Sequence, residues 1–139
     1  MEIVLKESKT GWVKVNEDIS VLVSYPTSDQ DIKLKRILYE LGFMPDFNPE
    51  DQSLLKPEDK AAMLSITEKY NKLYLKHTIK DWKGMRLGSG VEVICKVVNN
   101  ELDNELWEML CRSIKSLDLY ELVKLIKKEI EFTESDKKK

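Results

Sequence analysis

One histidine, two cysteines and a run of lysines are the residues in this chain whose types could do chemistry. His77, Cys95 and Cys111 would have to supply any zinc ligands, yet their spacing fits no zinc pattern. Both cysteines sit among apolar neighbours and read as buried free thiols in a reducing, cytoplasmic setting. Glu101, Asp103, Glu105 and Glu108 could suggest acid–base work. They load the first half of an amphipathic helix with no nucleophile beside them, where acidic residues favour the helix N-terminus. Gly88 and Gly90 lack the flanking spacing and the lysine of a phosphate loop. These residues therefore assign no catalytic role, no metal and no cofactor, and an enzyme is not expected.

The lysines belong to the stretch that organises the chain, residues 56–84. Pro57 suits a first helical turn, Glu58 and Asp59 suit its positive end, and Gly84 reads as a stop. At 100° per residue, Ala62, Met63, Ile66, Tyr70, Leu73, Tyr74 and His77 share one broad face. Leu64, Leu75 and Trp82 form a second stripe, so the helix is expected at the centre with neighbours on two sides. Lys69, Lys72, Lys76 and Lys83 fall on the remaining side. A solvated face is the plain reading of that cluster. The alternative is a small regulatory module binding nucleic acid or a host protein through it. Against nucleic acid stand the net charge of −2 and a pI near 5.6.

With 139 residues, 42% hydrophobic and 35% charged, the chain fits one globular domain with a heavily charged surface. Residues 1–132 are expected to form that domain and 133–139 a flexible charged tail. No apolar run approaches a membrane span, and the first residues lack the apolar core of a signal peptide. Residues 2–5, 12–15 and 19–25 read as three short strands separated by turn residues. Thr27 or Ser28 caps a helix carrying Ile32, Leu34, Ile37, Leu38 and Leu41. Residues 43–55 hold two prolines beside Phe43, Met44, Phe47, Leu54 and Leu55. They form either a packed loop or a segment that docks a partner.

Alternation over residues 91–97 predicts a further strand, which could pair with the N-terminal sheet. Asn99 or Asn100 caps a helix with Leu102, Leu106, Trp107, Met109, Leu110, Ile114 and Leu117 on its apolar face. The last helix begins at Ser116 or Asp118 and turns Leu119, Leu122, Val123, Ile126, Ile130 and Phe132 inward, and the two final helices are expected to pack as a hairpin. The fold class is α+β: an N-terminal antiparallel β-meander followed by a helical bundle of four or so helices.

The stretch from Ile79 to Leu110 resembles the tail assembly chaperones of tailed bacteriophages. It carries an aliphatic Ile79, then Asp81-Trp82-Lys83-Gly84, a turn with Gly88 and Gly90, and Asn99 leading into a leucine-rich helix. Members of that family often carry proline after the glycine turn, which residues 91–98 lack. The resemblance implies a non-enzymatic protein of the host cytoplasm. It would bind the tape-measure protein, or another tail protein, keep it soluble during tail assembly, and associate with copies of itself. Candidate contact surfaces are residues 43–55 and the spare apolar faces of the last two helices.

Overall fold

Two strands rich in β-branched residues open the structure, a computed structural model that describes residues 1–3, 10–42 and 56–130. Strands β1 (Thr10–Lys14) and β2 (Ser20–Ser24) pair antiparallel, with Val13 opposite Val21. The Asn16 side chain closes the turn, its Oδ1 accepting from the amides of Asp18 and Ile19, both at 2.8 Å. Alternation puts Val13, Val21 and Val23 into the core. Helix α1 (Ser28–Gly42) begins with a reciprocal cap: Gln30 N–H donates to Thr27 Oγ1 and Thr27 N–H to Gln30 Oε1. Leu34 and Ile37 are its buried apolar residues, whereas Ile32 and Leu38 are exposed.

Helix α2 (Pro57–Thr78) runs through the middle, packed on α1 and α4. It ends six residues before Gly84. Thr78 Oγ1 donates to the Tyr74 carbonyl, Ile79 turns extended, and the chain passes directly into strand β3 (Ile79–Lys83). β3 pairs antiparallel with β2, giving the sheet order β1-β2-β3. The sheet's third strand thus comes from residues 79–83 rather than 2–5: residues 1–3 form no strand, and 4–9 lie outside the described residues.

Ile79 and Trp82 are three residues apart, which reads as helical spacing. A regular strand could not turn both inward. A bulge between Leu22 and Val23 of β2 leaves Lys80 as an extra residue on β3, and both side chains face the core.

After β3, Val93 N–H donates to the Met85 carbonyl and Leu87 N–H to the Val91 carbonyl, closing a short irregular hairpin. The strand expected over residues 91–97 is not continuous. Glu92 forms an isolated antiparallel bridge with Arg86, and β4 (Val97–Val98) pairs with β5 (Glu101–Leu102). Asn99 and Asn100 hold positive φ angles of 53° and 63° in the two-residue turn between them, a conformation Asn tolerates better than most residues. They do not cap the next helix. Asp103 does, accepting from Leu106 N–H at 3.4 Å at the start of α3 (Asn104–Ser113).

Helix α4 (Ser116–Ile130) buries Leu119, Leu122, Val123, Ile126 and Ile130 as expected, with Phe132 outside the described residues, and lies on α2 and β1. Helices α3 and α4 do not close into the expected hairpin. α3 has no fully buried residue, and Leu117, placed on its apolar face, begins α4 and is exposed. The architecture is α+β, a three-stranded antiparallel sheet with four helices, and one apolar core draws on β1, β2, α1, α2, β3, β5 and α4.

Candidate functional site

The splay between α3 and α4 leaves an open apolar trough of about 420 Å3. Leu110 and Ile114 form one wall, Leu122 and Leu125 the other, and Val15, Ile19 and Met85 close its end. The charged residues lining it are Asp118 and Glu121, both acidic and both exposed. A second trough of about 200 Å3 adjoins it through Met85, Leu110 and Ser113, and runs along Trp82, Val93, Leu106 and Met109. Met85 therefore stands between the two.

What holds the floor is the segment around Asp81-Trp82-Lys83-Gly84. Asp81 Oδ1 accepts from Trp82 N–H at 2.8 Å, and Trp82 Nε1 donates to the Val93 carbonyl at 2.8 Å. A buried indole with its N–H satisfied fixes the return of the chain past Met85. The sequence reading places Trp82 on the central helix and Gly84 at its stop; the segment is instead strand β3 and the turn after it, and the Asp81 and Trp82 hydrogen bonds close on the chain itself. The trough's outer residues, Val15, Ile19, Asp118, Glu121 and Leu125, carry no local motif. They meet only because α3 and α4 diverge.

The four lysines do not share one face. Lys69, Lys72 and Lys76 lie on α2, whereas Lys83 lies on β3 with its ammonium over the Trp12 ring at 4.2 Å. Early termination of the helix is the cause. Lys69 is 3.9 Å from Glu40 and Lys72 is 3.2 Å from Glu68. Lys76 reaches Glu101 at 3.7 Å and Asn104 at 3.1 Å, and stands over Trp107. Phe43, Met44, Phe47, Leu54 and Leu55 lie outside the described residues.

A partly buried polar cluster ties the β4–β5 turn to the helices. The Asn100 carbonyl accepts from Gln30 Nε2 at 3.0 Å and from the Lys80 ammonium, which also donates to the His77 carbonyl. His77 is 1% exposed; its Nε2 lies 3.6 Å from Glu101, and its Nδ1 has no hydrogen-bond partner among the described residues. Burial lowers its pKa from the usual 6.5, with Lys33, Lys76 and Lys80 adding to the effect and Glu101 opposing it. Burial likewise lowers the Lys80 pKa, again opposed by Glu101.

Because folded His77 titrates below 6.5, the unfolded chain takes up a proton that the native chain refuses. Stability is therefore expected to fall as pH drops through that value, by up to about 1.4 kcal/mol per pH unit. Urea denaturation in half-unit steps across this interval checks it. His77→Gln should flatten the slope there and leave the carboxylate-driven loss at lower pH.

The thiols are poorly placed for nucleophilic work. Burial, with Asp81 nearby, pushes Cys95 up to about 11, and burial also raises Cys111. Among the described residues no three His, Cys, Asp or Glu side chains group to hold a metal, and no helix is long and apolar enough to cross a membrane.

No protein family, curated protein or solved structure matches the chain.

Proposed function

We propose that this protein is a non-enzymatic assembly chaperone of the tailed-phage type, which holds an amphipathic helical segment of a tape-measure protein. The open apolar trough between α3 and α4 supports this reading most directly. It presents leucine and isoleucine walls, and contiguous concave apolar surface of this kind is characteristic of partner sites. Its acidic rim favours a helix with lysine or arginine beside its apolar stripe. Such binding needs no reacting group. Among the described residues none combines exposure with an activated nucleophile: burial raises both thiol pKa values and the one imidazole is buried. The lysine alternative draws less support, because Lys72 and Lys76 already meet acidic neighbours and Lys83 belongs to the sheet.

Co-expression with a tape-measure protein, followed by sizing of the soluble fraction, tests the reading. Co-elution of the two is expected. If the tape-measure protein stays insoluble and this protein elutes alone, the proposal fails. Met85→Glu puts a charge where the two troughs meet, on a half-buried unbranched side chain. Retention of the partner should drop by at least about tenfold, the cost of one charge desolvated against an apolar helix. Because Met85 also packs against the core, some fall in melting temperature is expected, and the circular dichroism spectrum at the assay temperature checks that the variant is folded.

A further inference from the structure

His77 takes no part in the trough, yet it is the chain's one imidazole and sits where α2 passes into β3. Charged groups face it from four elements: Lys33 of α1, Lys76 of its own helix, Lys80 of β3 and Glu101 of β5. Three of them are ammonium groups and one is a carboxylate. That carboxylate also lies 3.7 Å from Lys76, so it is already shared. Glu101 faces Nε2, which is therefore the nitrogen that carries hydrogen in the neutral ring. A second proton must go to Nδ1, which is buried and meets no hydrogen-bond partner among the described residues. An unmatched N–H carrying positive charge is costly to keep from water.

The neighbouring hold that a charge on His77 would disturb first is Lys80. Its ammonium donates to the His77 carbonyl and to the Asn100 carbonyl at once. The turn it holds is lightly fastened. β4 and β5 are two residues each and form a separate two-stranded sheet. Asn99 and Asn100 stand at positive φ, and Gln30 Nε2 supplies the other bond to the Asn100 carbonyl. The residues on either side are better anchored. Leu102 is 1% exposed in the core, and Asp103, the α3 cap, donates its N–H to the Lys96 carbonyl.

We propose that protonation of His77 drives the Lys80 ammonium into solvent and frees the Asn99–Asn100 turn, while Glu101 stays as counter-ion to the imidazolium. Water takes the place of the ammonium beside His77. The neutral ring closes the turn again, so the joint is a reversible pH-sensitive latch. Leu102 is its hinge, and α3 and the trough stay in place because Asp103 keeps its bonds.

Nuclear magnetic resonance of the full chain, followed from about pH 7.5 down to about pH 5, tests the latch without any tape-measure protein. Its outcome is therefore separate from that of the chaperone reading. The single histidine gives one set of ring signals, with a midpoint expected below the ordinary 6.5. The Gln30 side-chain amide and the Asn100 backbone amide should shift with that same midpoint, while the amides of Val13 and Val21 stay where they are. Glu101→Gln removes the counter-ion and should lower the midpoint. Lys80→Met removes an opposing charge together with a hold on the turn. It should raise the midpoint and uncouple the Asn100 signal from it. A merely structural lysine would leave the His77 midpoint unmoved. Circular dichroism at neutral pH checks that both variants fold. The inference is overturned if the Gln30 and Asn100 signals ignore the His77 step. It is also overturned if the sheet amides move along with them, or if Lys80→Met leaves the midpoint unchanged.

Discussion

Replacing Gly84 with alanine is expected to cost about 3 kcal/mol or more and to leave little soluble protein. Gly84 has φ +83°, and a Cβ there would overlap the Asp18 carbonyl oxygen and come within 2.8 Å of its carbon. The left-handed conformation alone costs an L-residue about 1–2 kcal/mol. The rest comes from forcing apart the end of β3 and the β1–β2 turn, where Asn16 already fixes Asp18 and Ile19. Gly90 supplies the internal control: its φ is +90°, but a Cβ would meet nothing within 4 Å. Gly90→Ala should therefore lose only the conformational part, about 1 kcal/mol. Gly84→Asn should not rescue, because asparagine tolerates the angle but brings the same Cβ. Urea midpoints of the three variants separate angle from close approach. Similar losses at Gly84 and Gly90 would show that the Asp18 contact does not matter.

The second large effect is at Trp82. Trp82→Ala should cost about 3–5 kcal/mol, as truncation of a buried aromatic does. It removes the side chain paired across the sheet with Val21 and leaves the Val93 carbonyl without its donor. Trp82→Phe keeps most of the apolar area and should cost about 1–2 kcal/mol, the hydrogen bond and its orphaned acceptor. Amide hydrogen exchange distinguishes the local consequence. In Trp82→Phe the amides of Leu87 and Val93, which bond within the hairpin over residues 85–93, should lose protection before those of β1 and β2. Equal loss everywhere would mean that the indole holds the whole sheet rather than this segment.

The inward face of α4 was legible, since one strong apolar stripe at helical spacing admits one inward face, but Leu117 was placed on the helix before it. The first two strands were legible for the same local reason. What the sequence hid was decided by partners distant in the chain. Ile79 and Trp82 repeat at three residues like a helix face, and only pairing with β2, with its bulge, turns them into strand residues. Asn99 and Asn100 suit a cap or a left-handed turn equally, and Asp103 downstream takes the cap.

Alternation over residues 91–97 was present. The Val93 carbonyl instead serves the Trp82 indole, and neighbouring strand pairing covers only two residues on each side. The trough was legible only on its α3 wall, through Leu110 and Ile114. Its other wall depends on how far α3 and α4 diverge, which no local pattern encodes.

The direct passage from α2 into β3 governs where this chain can accept changes in length. No loop separates Thr78 from Ile79, so one residue added to the last turn of α2 would rotate everything after it by about 100°. β3 would have to leave its register with β2, taking Ile79 and Trp82 off the core. The turn around Gly88 has no such constraint, because its Cβ position meets nothing within 4 Å. Insertions, labels and split points thus belong at Gly88, whereas the last turns of α2 and all of β3 behave as one indivisible piece.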